Sequence, residues 1–237
     1  MADLRTHVRP DGRCLVWPDG QWTADQAHVA AVLAAARRTS LLTTIDAGST
    51  DELVALERAG FKQARYENVV EADLTTAINA LAGTALPDGI IGRSAADVDV
   101  DDLRRLDDEL RDDVPGTSGW RSSPAEFQED TFDDRAYNPK TYLVAMPEAR
   151  GELIGLVRVW MNEPGPRIGM IGVTSRHRGR GIASALLAQV LREVQALGAC
   201  HARSEYDVTN LASAAIFAKV GARSVGSRIE YELSPDR

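Results

Sequence analysis

Residues 168–187, IGMIGVTSRHRGRGIASALL, place Arg176, Arg178 and Arg180 within five positions of one another, interleaved with Gly179 and followed by Gly181. The chemistry this grouping offers is anion binding. The first N–H groups of a helix lack internal partners and lie at the positive end of its dipole. Glycines let the backbone approach a phosphate without a Cβ in the way, and arginines add charge and forked donors. A diphosphate fits such a turn. For the turn to work, a strand must deliver it and a helix must leave it. The apolar run 168–173 supplies the strand. Ala183, Leu186, Leu187, Val190, Leu191, Val194 and Leu197 recur at three-and-four spacing as the buried face of a helix that Gly198 stops. A dinucleotide fold would need GxGxxG and a nucleotide-hydrolysing P-loop would need GK followed by Ser or Thr; neither pattern is present. A glycine-rich turn with solvent-facing arginines is the bland alternative.

The element RxxGxGxA, formed by Arg176, Gly179, Gly181 and Ala183, resembles the acetyl-CoA pyrophosphate loop of the GNAT N-acyltransferases, whose pattern is Gln/Arg-x-x-Gly-x-Gly/Ala. Downstream, residues 204–222, SEYDVTNLASAAIFAKVGA, look like that family's next strand and helix, with Asn210 opening the helix. The resemblance covers roughly residues 88–233. It implies that backbone groups of Ile171, Gly172 and Val173 bind the pantetheine arm as an added strand would. Arg176, Arg178, Gly179, Arg180, Gly181, Ile182 and Ala183 would then hold the phosphates, with Asn210, Ser213 and Phe217 along the arm. Asn210 and Ser213 serve equally well as a plain helix cap.

Acyl transfer to an amine needs a held donor, a deprotonated amine and a polarised thioester oxygen. Two departures from the family pattern bear on it. Phe217 stands where many relatives carry a tyrosine general acid, and the strand before the turn lacks the carboxylate several relatives use. The thiolate leaves unassisted, or Tyr206 or a water donates the proton. Glu205 is the first choice for the base; it shares a strand face with Asp207 and reads otherwise as an exposed strand-end acid. Asp112, Asp113 and Trp120, in the loop where the family usually meets its acceptor, are the candidates to receive a cationic amine, or else surface acids and a helix anchor.

The 237 residues carry a formal net charge of −8, which argues against nucleic-acid binding and, weakly, for a cationic acceptor. There is no run of about 18 apolar residues to span a bilayer and no apolar stretch near the N-terminus, so a cytoplasmic protein without membrane contact is expected. Cys14 and Cys200 form no disulfide framework, and no Cys/His cluster has zinc-site spacing, so no metal is expected.

Capping-box patterns at Thr23/Gln26 and Ser49/Glu52 predict helices over 24–38 and up to Gly60, with a strand over 41–45 between them. Residues 43–61 align without a gap on 204–222: Asp46 falls on Asp207, Leu56 on Phe217 and Gly60 on Gly221, a shift of 161. This reads as a truncated internal repeat that lacks the arginine turn, or as chance likeness of two strand–helix–Gly units. The polar segment 82–89 reads as the linker. Beyond it come a strand at 90, a helix from about 98 to 114, a short helix after Pro124, strands over 140–146, 151–161 and 166–173, then helix, strand, helix, strand.

The expected fold is therefore α/β: a GNAT-like mixed, mostly antiparallel sheet flanked by helices (85–237), with a smaller N-terminal α/β partial repeat (1–84). The expected function is N-acetyl transfer from acetyl-CoA to a primary amine of a small molecule, by direct attack in a ternary complex. No Cys or Ser sits in a nucleophile–base setting. A protein or peptide N-acetyltransferase is the alternative enzyme, and an acyl-CoA-binding regulatory module without turnover the alternative of another class. The sequence is compatible with a homodimer.

Overall fold

The computed structural model describes residues 4–133, 135–149 and 151–235. Ten strands form one sheet: β1 (Leu4–Val8), β2 (Cys14–Pro18), β3 (Leu41–Asp46), β4 (Lys62–Asp73), β5 (Ile90–Ser94), β6 (Tyr142–Pro147), β7 (Gly155–Trp160), β8 (Arg167–Val173), β9 (His201–Asp207) and β10 (Arg223–Leu233). Their spatial order is β1-β2-β3-β10-β4-β9-β8-β7-β6-β5. Only β2–β3 and β8–β9 pair parallel. The mixed, mostly antiparallel sheet expected from the sequence is therefore present. The α-helices among the described residues are α1 (Ala24–Arg37), α2 (Thr50–Arg58), α3 (Leu74–Ala80), α4 (Val100–Arg111), α5 (Pro124–Thr131), α6 (Ile182–Ala196) and α7 (Leu211–Lys219).

Period-2 alternation sorts the strands between two layers. Ala145, Val157, Val159 and Ile168 pack with the buried face of α6 and with Leu74, Ala77 and Leu81 of α3 and its end. Tyr142, Val144 and Leu156 point the other way, onto Leu103, Leu106 and Leu110 of α4 and Phe127 of α5. A third cluster joins α1 and α2 to β2, β3 and β10. Leu197, assigned to the apolar face of α6, lies past its end and is exposed.

The repeat read from the sequence recurs at the level of elements. Adding 161 to the bounds of α2 gives those of α7, and β10 begins 161 residues after β4. The sheet nevertheless does not separate the two units. β10 lies between β3 and β4, while β4 lies between β10 and β9, so each unit receives a strand from the other. Neither β4 nor α3 was foreseen, and they place the end of the first unit against the core of the second.

The two parallel pairs differ in what lies beyond their ladders. β2 and β3 register over Cys14↔Leu41 and Leu15↔Leu42. At Thr43, the next residue of β3, the side chain accepts a hydrogen bond of 3.1 Å from Nε1 of buried Trp22, which packs beside Phe61. At the N-terminus of α2, Ser49 makes no cap bond; Glu52 instead accepts from the Trp22 amide at 2.7 Å, so the second capping box is replaced by a tie that holds the tryptophan. Trp22→Ala is expected to cost about 3–5 kcal/mol of stability, as removal of a buried large aromatic does. A urea-melt difference under 1 kcal/mol would contradict that role.

Candidate functional site

β8 and β9 register at a single pair, Arg167↔Arg203. The amide of Arg203 donates to the carbonyl of Pro166 and Ser204 Oγ to that of Ile168, both at 2.9 Å, and then the strands part. A bulge at Gly169 turns β8 away: Arg158 opposes Met170 while Val159 opposes Ile168. A Cβ on Gly169 would lie 2.2 Å from the Trp160 ring, so a larger residue there would displace that ring. Ile171, Gly172 and Val173 consequently pair with β7 on one side and, among the described residues, with no strand on the other. The gap opens into a cleft of about 780 Å³.

At one end of the cleft lies the arginine turn. Residues Ser175–His177 form a short 3₁₀ turn, held by Thr174 Oγ against His177 Nδ1 at 2.9 Å. Gly179 (φ 73°) and Gly181 (φ 80°) adopt the left-handed backbone that lets the chain enter α6 with no side-chain cap. Nothing lies within 4 Å of where a Cβ would stand on either glycine. The N-terminus of α6 thus faces the cleft beside Ile182 and Ala183, as an anion site requires.

The three arginines are not equivalent. Arg176 pairs with Glu152 at 3.2 Å and does not line the cleft. Arg178 donates from Nε to the carbonyl of Val173 at 3.0 Å and pairs with Asp113, tying the end of β8 to the loop after α4. Arg180 lines the cleft, exposed, with no carboxylate within ion-pair distance among the described residues. Along the cleft wall, Asn210 caps α7 by accepting from the Ser213 amide at 3.0 Å. Phe217 is buried and stacks on Tyr206 with centroids 5.5 Å apart, and the Tyr206 hydroxyl accepts from Asn68 at 3.3 Å.

The opposite end is built by both units. Directly opposed residues share a sheet face, which places Thr44 of β3, Arg228 of β10, Arg65 and Glu67 of β4, Glu205 of β9 and Arg167 of β8 on the face away from α6 and α7. All six line the cleft. Glu205, the base expected from the sequence, has both oxygens engaged: Oε2 accepts from Arg167 at 2.8 Å and Oε1 from Arg228 at 3.1 Å. Glu67 pairs with Arg65 through one oxygen, Oε1. Burial pushes its carboxyl above the usual carboxylate range, and Arg65 offsets that only in part.

The residues expected to receive a cationic amine are already partnered within the chain. Asp112 holds Arg121 through two bonds of 3.0 and 2.7 Å, and Asp113 holds Arg178. The Trp120 ring faces the guanidinium groups of Arg9 at 4.8 Å and Arg111 at 4.5 Å, while its Nε1 donates to Ser122. Of the three, only Asp113 lines the cleft. The loop that carries them is pinned from the N-terminal hairpin, where Arg9 and Arg13 both donate to the carbonyl of Gly116, at 3.1 and 2.7 Å.

The profile of the Acetyltransferase (GNAT) family matches residues 103–222. The chain belongs to this family. Among solved structures, a GCN5-related N-acetyltransferase from Sphaerobacter thermophilus superposes with a TM-score of 0.70 at 19% identity, over 98% of this chain and 76% of that one. A tandem GNAT protein from the clavulanic acid biosynthesis pathway gives 0.69 at 17% identity, over 95% and 76%. A GCN5-related N-acetyltransferase from Kribbella flavida gives 0.56 at 12%, over 100% and 88%. At such identities the likeness is one of fold, and it extends through the N-terminal unit. No curated protein sequence matches the chain.

Proposed function

We propose that this GNAT protein transfers an acetyl group from acetyl-CoA to a primary amine of a small molecule, by direct attack in a ternary complex. The observation that carries the reading is the strand pair open beyond one register pair, with an anion-binding turn at one end and a part-buried carboxylate of raised pKa at the other. The α6 amides and Arg180 hold the diphosphate, and the unpaired edge of Ile171–Val173 takes the pantetheine arm. Glu67, rather than Glu205, is the base: Glu67 Oε2 accepts no hydrogen bond among the described residues, while the two oxygens of Glu205 are occupied.

In the reaction the amine nitrogen forms a bond to the thioester carbon as the carbon–sulfur bond breaks. The ammonium proton passes to Glu67 directly or through a water, and the thiolate departs without a donor from the Phe217 position. Residues 85–237 carry the donor site, and the partial repeat in 1–84 completes the acceptor site with Thr44, Arg65 and Glu67. The pinned loop around Gly116 bounds that end, which favours a small acceptor over a peptide lying through the cleft.

Thiol release from acetyl-CoA over a panel of amines tests the reaction. Release above background is expected, whereas tight binding with no release would favour a non-catalytic acyl-CoA-binding module. Arg180→Glu is expected to weaken acetyl-CoA binding roughly tenfold to a hundredfold, the worth of one charge-assisted contact, with an unchanged melting profile. Undiminished affinity would remove Arg180 from the diphosphate site.

A further inference from the structure

In this acidic chain two part-exposed arginines line the acceptor end of the cleft. Arg167 and Arg228 bind the two oxygens of one carboxylate, Glu205, so their guanidinium groups lie side by side. Their side chains are 42% and 44% exposed, against 10% for Glu205 beneath them. Each spends one or two N–H groups on protein partners: Arg167 on Glu205, and Arg228 on Glu205 with a weaker approach to exposed Asp46 at 3.8 Å. Both arginines line the cleft, and the Arg167 guanidinium also lies 5.4 Å from the centroid of the Trp160 ring. An arriving group therefore meets two guanidinium groups whose charge is half neutralised, and the triad carries a net charge of +1.

Arg228 stands directly opposite Glu67 in the register of β10 and β4. Side chains so placed start from Cβ atoms about 5 Å apart. A small molecule that touches both groups carries an anion and an amine in one body.

From this geometry we infer that the acceptor is an amino acid, whose carboxylate seats on Arg167 and Arg228 while its amine faces Glu67. A carboxylate, with one negative charge and planar paired oxygens, matches the triad's single net charge and the fork geometry of arginine. The inference rests on the acyl-transfer reading above and names its second substrate. It also departs from the expectation of a cationic acceptor drawn from net charge, because Glu67 and Glu205 are largely covered and paired with arginines while Arg167 and Arg228 are part exposed.

The test compares kcat/KM, by thiol release from acetyl-CoA, for the standard L-amino acids, β-alanine and γ-aminobutyrate with that of their methyl esters, decarboxylated amines and aminophosphonate analogues. At least one amino acid should exceed its ester and its decarboxylated amine by about tenfold or more. That ratio should fall by about tenfold in Arg228→Gln, and also in Arg228→Lys and Arg167→Lys, which keep the charge and remove the fork. Esters or plain amines used as well as the acids, a preference for the phosphonates, or a ratio unmoved in folded variants would overturn the assignment. If no compound turns over, N-acetyl amino acids are titrated into protein saturated with coenzyme A, and absence of heat from all of them would overturn it too. Acetyl-CoA binding is measured first: its failure removes the acyl-transfer reading itself, whereas its success with no carboxylate preference removes only the choice of acceptor.

Discussion

Glu67→Gln is expected to lower kcat by about 10²- to 10⁴-fold, the range a positioned general base contributes, while acetyl-CoA affinity stays within about twofold. The substitution keeps size and removes proton affinity, so a loss confined to kcat reports chemistry rather than packing. The pH profile sharpens the test. Burial raises the Glu67 carboxyl, so in the native protein kcat/KM should climb with pH through a limb lying above the ordinary carboxylate range. Below that limb Glu67 is protonated and cannot accept the ammonium proton. In the variant the limb should vanish. A profile that keeps it would move the base elsewhere, and loss of the limb in Glu205→Gln instead would return the role to Glu205.

Deleting residues 1–84 is expected to abolish folding of the remainder, although those residues contain none of the phosphate-binding turn. β4 pairs with β9 from Glu67↔Asp207 to Asp73↔His201 and with β10 along nearly its whole length, so deletion strips both of those strands. It also removes Val70, Leu74 and Leu81 from the core around α6. At about 1.5–3 kcal/mol for each of these three side chains, the loss is roughly 4.5–9 kcal/mol before any ladder hydrogen bond is counted, comparable with the roughly 5–15 kcal/mol that holds a domain together. The truncated chain should lack a cooperative urea transition and bind no acetyl-CoA. A soluble fragment that unfolds cooperatively and still binds would show that residues 85–237 fold alone.

How far the sequence revealed the site follows from where each part lies along the chain. The anion turn was legible because its parts are contiguous: strand, glycines, arginines and helix all fall within residues 168–197. The repeat was legible because Asp46, Leu56 and Gly60 keep the spacing of Asp207, Phe217 and Gly221, though the exchange of strands that it entails was not. The acceptor end was missed because it is assembled from β3, β4, β8, β9 and β10, separated by up to about 180 residues and joined only by sheet order. One signal was present. Arg65, Glu67 and Glu71 alternate with Tyr66, Val70 and Ala72, and Arg228, Glu230 and Glu232 alternate with Ile229, Tyr231 and Leu233. That period-2 pattern marks two strands that share a charged face. Net charge is a coarse guide to an acceptor for a related reason: it weighs every acid equally, whereas Glu205 and Asp207 are shielded in ion pairs and Arg167 and Arg228 are part exposed.

Calorimetric titration of the intact protein with acetyl-CoA tests the central assignment most directly, because among the described residues the open strand pair and the α6 turn occur once, whereas Trp22 is bonded to Thr43 just past the β2–β3 ladder. One acetyl-CoA per chain is predicted, with affinity that falls in Arg180→Glu and persists in Glu67→Gln. No heat at any concentration, or two equivalent sites per chain, would contradict the account.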